Sequence, residues 1–172
     1  IRDEGIYSLE RGRTFYTSNA GLKELREEIC RYLSRRCKVD YTIDETLITV
    51  GGSEAIDLAM RVLLNPGDEV LTFAPYFGEY RAYVTNYDGI LKEVEPDTET
   101  FQPPNNPTGV VYSEATIQKM AAILETKQKE FGTSIYLISD EPYRELAYDG
   151  VEVPYLTKYY RNTIVGYSFS KS

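Results

Sequence analysis

Histidine is absent from all 172 residues. That removes Cys/His metal sites of the zinc type, and it removes the Ser-His-Asp and Cys-His routes to a nucleophile. If the chain is an enzyme, its base is a lysine, a carboxylate or a tyrosine. Cysteine is nearly absent too. Cys30 and Cys37 are the only two, seven positions and about two turns apart on one predicted helix, too far to bridge without breaking it. Two reduced thiols point to a cytoplasmic protein. Long apolar runs are missing, so no bilayer-spanning segment is expected, and no signal peptide is visible at the start. The chain opens mid-pattern on "IRDEGIYSLERGR" without a methionine, and an amino-terminal part is expected outside this sequence. Positive charge is in deficit: 19 Lys and Arg against 27 Asp and Glu give a net charge of −8. The basic residues are interleaved with acids, which speaks against a nucleic-acid partner.

What is present is a globular composition, 42% hydrophobic and 13% aromatic, enough to bury the core of one domain. Helix and strand patterns alternate. "GLKELREEICRYLSRR" places Leu22, Leu25, Ile29 and Leu33 at helical spacing, with Ser18 or Asn19 as cap. "TLITV" reads as a strand running into a helix whose apolar face is Ala55, Leu58, Ala59 and Val62. "EVLTF" and "GILKEVE" read as strands on either side of a helix in "APYFGEYRAYV". "SEATIQKMAAILETKQKEF" is a helix with Ser113 as cap, and "TSIYLISDEP" and "NTIVGYSFSK" are the last two strands. Strands separated by such helices imply right-handed crossovers and a three-layer α/β fold, a mainly parallel sheet with helices on both faces. Ligands of such sheets sit beyond the carboxyl ends of the strands.

The residues that follow each strand are therefore the candidates. They are Gly51-Gly52-Ser53-Glu54, then Ala74-Pro75-Tyr76-Phe77, then Asp140, Pro142 and Tyr143, and finally Ser170 and Lys171. Each has a plain reading taken alone. Gly51-Gly52-Ser53 can be a tight turn, Phe77 a core aromatic, Asn105-Asn106-Pro107-Thr108-Gly109 a polar loop, Asp140 a helix cap and Lys171 a solvated lysine. Together they form an inventory: a glycine-rich helix start for an anion, a flat stacking face, a carboxylate, a Tyr/Asn pair and an amine. A phosphate, an aromatic ring, a protonated ring nitrogen, a phenolic oxygen and an aldehyde would require that inventory. Pyridoxal 5′-phosphate (PLP) presents all five.

"GGSEA", "PNNPTG", "SDEPY" and "SFSKS", in this order, resemble the fold-type I PLP-dependent aminotransferases of class I/II, the aspartate aminotransferase-like group. "FYTSNAGLKELREEI" resembles the segment that leads into that family's large domain. The resemblance implies that Lys171 forms a Schiff base with the cofactor and shuttles the substrate's Cα proton. It implies that Asp140 keeps the pyridine nitrogen protonated, that Tyr143 and Asn106 bond the ring's phenolic oxygen, and that Asn106 also lies near the substrate carboxylate. Phe77 would stack on the ring, and Gly52, Ser53 and Ser168 would hold the phosphate. Tyr16 would reach the phosphate of the neighbouring subunit in a homodimer. The implied domains are an N-terminal helical segment, 1–15, and a partial PLP-binding large domain, 16–172, with the small domain largely outside this chain.

The implied function is transfer of an amino group between an L-amino acid and a 2-oxo acid. Two alternatives stand beside it: a carbon–sulfur β-lyase or aminocyclopropane-carboxylate-synthase-like enzyme on the same fold, and a non-catalytic ligand-binding or regulatory module that retains it. The last would be expected to lose Lys171 or Asp140, and both are present. A generic nucleotide-binding domain fits less well, since G-x-G-x-x-G and Walker patterns are absent. The residues gripping the substrate carboxylate are expected beyond Ser172. One anomaly stands inside the chain. "EPDTETFQPP" precedes the rim motif "NNPTG" but carries three prolines and no apolar alternation, so it cannot be a buried strand. A helix and a strand, roughly 20–30 residues, are expected to be missing between Gln102 and Pro103.

Overall fold

The computed structural model describes residues 2–95, 111–148 and 150–171. The expected break between Gln102 and Pro103 and the "NNPTG" motif with Asn106 lie outside the described residues. The chain divides into two compact units, Ile1–Thr49 and Val50–Ser172.

The first unit holds two helices, α1 (Arg2–Glu10) and α2 (Lys23–Cys37), and a 3₁₀ turn at Ile43–Glu45. α1 buries nothing. α2 is tied to the 3₁₀ turn by Arg26, whose Nη1 donates to the carbonyl of Ile43 at 2.8 Å. Thr42 and Glu45 form a reciprocal capping box that closes the same turn. Neither Ser18 nor Asn19 caps α2: its N-cap is Leu22, with no side-chain bond. The Ser18 hydroxyl is spent instead on the carbonyl of Gly21 at 2.6 Å. Gly21 itself is required, since its φ is +95° and a Cβ there would lie 2.5 Å from the side chain of Ile48. Cys30 and Cys37 form no disulfide.

The second unit opens with α3 (Gly51–Leu63), followed by β1 (Glu69–Phe73), α4 (Glu79–Thr85) and β2 (Ile90–Val94). After them come α5 (Glu114–Phe131), β3 (Leu137–Asp140) and β4 (Thr163–Gly166), with 3₁₀ turns at Arg144–Leu146, Leu156–Lys158 and Phe169–Lys171. Both described ladders are parallel: β1 pairs with β2 from Glu69↔Ile90 to Phe73↔Val94, and β3 with β4 from Leu137↔Thr163 to Asp140↔Gly166. The alternation of helix and strand thus gives an α/β architecture with parallel strands. Two points differ from the sequence reading. "TLITV" forms no strand, because an extended segment becomes one only in a ladder, and no ladder forms along 46–50 among the described residues. The buried face of α3 is Ile56, Ala59 and Met60, with Val62 exposed. The bulkier Ile and Met side chains remove more apolar area from water than the stripe through Val62 would.

The core joins the two ladders. Ile56 and Met60 of α3 and Val84 of α4 are buried against Val70 of β1, Leu91 of β2 and Ile138 of β3. α3 therefore serves both sheets and fixes its own first turn over the ends of β3 and β4. Ser113 caps α5 as its sequence implies, accepting from the amide of Thr116 at 3.2 Å.

Candidate active site

The carboxyl ends of β3 and β4, the loop after β1 and the start of α3 open onto one cavity of about 730 Å³. That is within the usual size of small-ligand pockets. Gly51 turns the chain into α3 with φ +85°, a conformation that favours glycine. It lets Gly52 and Ser53 line the cavity from the first helical turn, where backbone amides lack intrahelical acceptors and the helix dipole is positive.

Phe77 enters from the loop after β1. Its ring stands edge-on to Tyr80, with centroids 5.8 Å apart at 79°, and its outer surface remains partly open. Asp140 is the last residue of β3 and Tyr143 follows three residues later; both line the cavity. Ser168 and Lys171 come from beyond β4. The Ser168 hydroxyl accepts from the amide of Ser170 at 3.2 Å, which fixes the start of the 3₁₀ turn that carries Lys171 to the rim. The structure thus brings together Gly52, Ser53, Phe77, Asp140, Tyr143, Ser168 and Lys171. It does not include Asn106 among its described residues. Tyr16 lies in the first unit with its side chain fully exposed.

Three groups around the site escaped the sequence reading. Tyr80, in the first turn of α4, donates its phenol to Asp140 Oδ2 at 2.8 Å. Its position three residues after Phe77 on a helix start is a usable signal, because such residues share a face. Glu141 and Arg144 form a buried ion pair, each side chain only 8% exposed. Glu141 also accepts from Ser139 Oγ at 2.7 Å, and Arg144 reaches the carbonyls of Val153 and Pro154 at 2.6 and 2.9 Å. The pair straps the turn that contains Tyr143 to the segment that returns to β4.

The electrostatics follow from this packing. Burial pushes the carboxyl of Asp140 above its ordinary value, the neighbouring charge of Glu141 adds to that, and the bond from Tyr80 opposes it. The phenol of Tyr80 is raised well above the ordinary range, first by burial and then by the charge of Asp140. It therefore remains a neutral donor at physiological pH.

The family profile described as "Aminotransferase class I and II" matches residues 2–172. The putative aminotransferase YugH of Bacillus subtilis is 36% identical over 196 residues, covering 100% of this chain and 49% of that protein. The aspartate/prephenate aminotransferase of Thermus thermophilus is 32% identical over 171 residues, covering 87% of this chain and 43% of the relative. Among solved structures, an amino transferase from Eubacterium rectale superposes with a TM-score of 0.88 at 41% identity, over 92% of this chain and 45% of that one. An aspartate aminotransferase from Thermotoga maritima gives 0.86 at 30% identity, over 99% and 50%. The chain spans about half the length of the curated relatives it matches.

Proposed function

The chain belongs to the aminotransferase class I and II family, and from that premise we propose that it is the cofactor-binding part of an aminotransferase moving an amino group between an L-amino acid and a 2-oxo acid. Members of this family use pyridoxal 5′-phosphate. The observation that carries the reading is the convergence of Lys171, Asp140 and the first turn of α3 on one cavity. The donor set fits the cofactor. A helix start with exposed amides suits a dianionic phosphate, a carboxylate at a strand end suits a protonated ring nitrogen, and an amine at the same rim suits an aldehyde. Gly52 leaves the space open, since even a Cβ there would come no nearer than 4.0 Å to Asp140.

Bound there, the cofactor supplies an electron sink that makes the substrate's Cα–H bond acidic. The chain's own residues do the rest. The amides of Gly52 and Ser53 and the hydroxyls of Ser53 and Ser168 bind the phosphate. Phe77 offers its face to the ring and excludes water from one side. Asp140 holds the proton on the ring nitrogen, where fixed negative charge is worth most as charge develops. Tyr143 donates to the phenolic oxygen, and Asn106 is assigned to the same oxygen by its motif. Lys171 Nζ would anchor the cofactor through its aldehyde and would serve as the base that moves the proton at the substrate's Cα. Two copies sharing their sites, with Tyr16 of each reaching the other's phosphate, complete the proposed assembly.

The test uses the full chain. PLP added to it is reduced with borohydride and the adduct is mapped by peptide mass spectrometry. Lys171 is the expected site, and an adduct on another lysine refutes the assignment. A screen of amino donors against 2-oxo acids then separates transamination from lyase chemistry. Aspartate is the first donor to try, since several relatives carry it in their names.

A further inference from the structure

We propose that Tyr80 is a positioning residue that sets, through Asp140, how completely the shared proton resides on the cofactor's ring nitrogen. The inference rests on the reading of Asp140 as the partner of that nitrogen. Its geometric basis is a single aimed hydroxyl. The Tyr80 phenol donates to Oδ2 of Asp140 at 2.8 Å across 60 residues of sequence, while Oδ1 lies on the side of Gly52 in α3. The two carboxylate oxygens therefore have different neighbours, and Tyr80 engages one of them.

The phenol is held in place by packing and cannot swing freely. Its ring lies nearly parallel to that of Tyr76, at 7° with centroids 6.3 Å apart, and edge-on to Phe77. It packs against the core cluster of Ile56, Met60 and Val84. A hydroxyl fixed in this way costs little reorganisation at the moment it is needed.

The direction of its effect follows from what surrounds Asp140. Burial and the charge of Glu141 both make the carboxylate hold a proton more tightly, and the bond from Tyr80 works the other way. With cofactor bound, one proton is shared between Asp140 and the ring nitrogen. A more basic carboxylate takes that proton and leaves a neutral ring, a poorer electron sink. A carboxylate already accepting from Tyr80 is less basic and leaves the proton on the ring. Only that proton changes place; no bond to carbon forms or breaks.

Tyr80→Phe tests this, because it keeps the ring and its contacts with Tyr76 and Phe77 and removes the hydroxyl alone. Two readouts on the full chain are informative. In the apo protein, carbon NMR of labelled aspartate is expected to show Asp140 titrating at higher pH in Tyr80→Phe, and at lower pH when Tyr80 is replaced site-specifically by 3-fluorotyrosine, a stronger donor. In the PLP-loaded protein, nitrogen NMR of the labelled cofactor is expected to show the ring signal of Tyr80→Phe moving toward neutral pyridine. A fall in kcat of about tenfold, the scale of one hydrogen bond to a charged group, is expected to accompany it, with KM changed less. If neither substitution moves the titration of Asp140, or if the ring signal of Tyr80→Phe stays where it is in wild type, the role of Tyr80 is overturned. Asp140→Asn separates the two levels. A ring signal displaced by Asp140→Asn but not by Tyr80→Phe refutes only Tyr80, whereas a signal that Asp140→Asn leaves in place refutes the pairing of Asp140 with the ring and the inference with it.

Discussion

Asp140 is crowded by protein and by Glu141, which favours its protonated form, whereas the role proposed for it, holding a cationic ring nitrogen, needs it ionised. Asp140→Asn preserves the shape and removes the charge. It is expected to lower kcat by about 10²-fold or more while weakening PLP binding far less, because the phosphate contacts proposed for Gly52, Ser53 and Ser168 would be untouched. Equal losses in turnover and cofactor affinity would refute that division of labour. A second expectation concerns alkaline pH. Tyr80 and Tyr112 are both pushed above the ordinary phenol value of 10.0, in each case mainly by burial. In the unfolded chain these phenols ionise first, so the stability they contribute is complete below pH 10 and is lost as the pH climbs toward their raised values. Denaturant unfolding measured across this range is expected to fall more steeply in wild type than in a Tyr80→Phe, Tyr112→Phe variant. The convergence of Phe77, Asp140 and Lys171 on one cavity was legible in the sequence, since each follows an apolar run. The Tyr80–Asp140 bond was not, because spacing reports which residues share a face and never which distant segment that face meets.

The segment between β3 and β4 carries Tyr143 and much of the cavity wall. It contains the 3₁₀ turns Arg144–Leu146 and Leu156–Lys158, and the buried Glu141–Arg144 pair holds it in shape. Arg144→Met leaves the carboxylate of Glu141 buried without its cation and is expected to cost about 3–5 kcal/mol. Replacing both residues by apolar ones of similar volume is expected to cost less than that single change, a non-additivity that urea unfolding of the two variants would read directly. At the other end of the range, Ser113→Ala removes one cap from α5 and is expected to cost about 1 kcal/mol. Element identity was well signalled wherever a helix carried its own cap or a strand its own ladder. β1 coincides with "EVLTF", and α5 begins immediately after Ser113. "TLITV" shows the limit, since its residue types favour a strand but only a partner can make one.

At the scale of the whole molecule, two expectations extend beyond the described residues. The alignment with YugH runs over 196 positions although this chain has 172 residues. Separately, the proline-rich run "EPDTETFQPP" carries the expectation of a further helix and strand, roughly 20–30 residues, between Gln102 and Pro103 in the full chain. Peptide mapping of the protein from its source checks this, and a peptide running directly from Gln102 into Pro103 refutes it. The second expectation is a homodimer with shared sites. Mixing Tyr16→Phe chains with Lys171→Ala chains creates hybrids in which one site has both lesions and the other neither, so activity per intact lysine is expected to exceed that of the Tyr16→Phe homodimer. If sedimentation instead finds an active monomer, sharing is wrong.

The position of α3 across both ladders also has a kinetic side. Each ladder joins strands close in sequence, through residues 74–89 and 141–162, so each can form quickly once its strands exist. A two-stranded sheet is marginal in water unless it packs against a helix, and both ladders meet that need through the shared core of Ile56, Met60 and Val84, which takes in Ile138 from β3 as well as Val70 and Leu91. In the finished unit, amides of the two ladders are expected to exchange with solvent as one cooperative block, and Ile56→Ala, at the centre of the shared helix, to accelerate exchange in both.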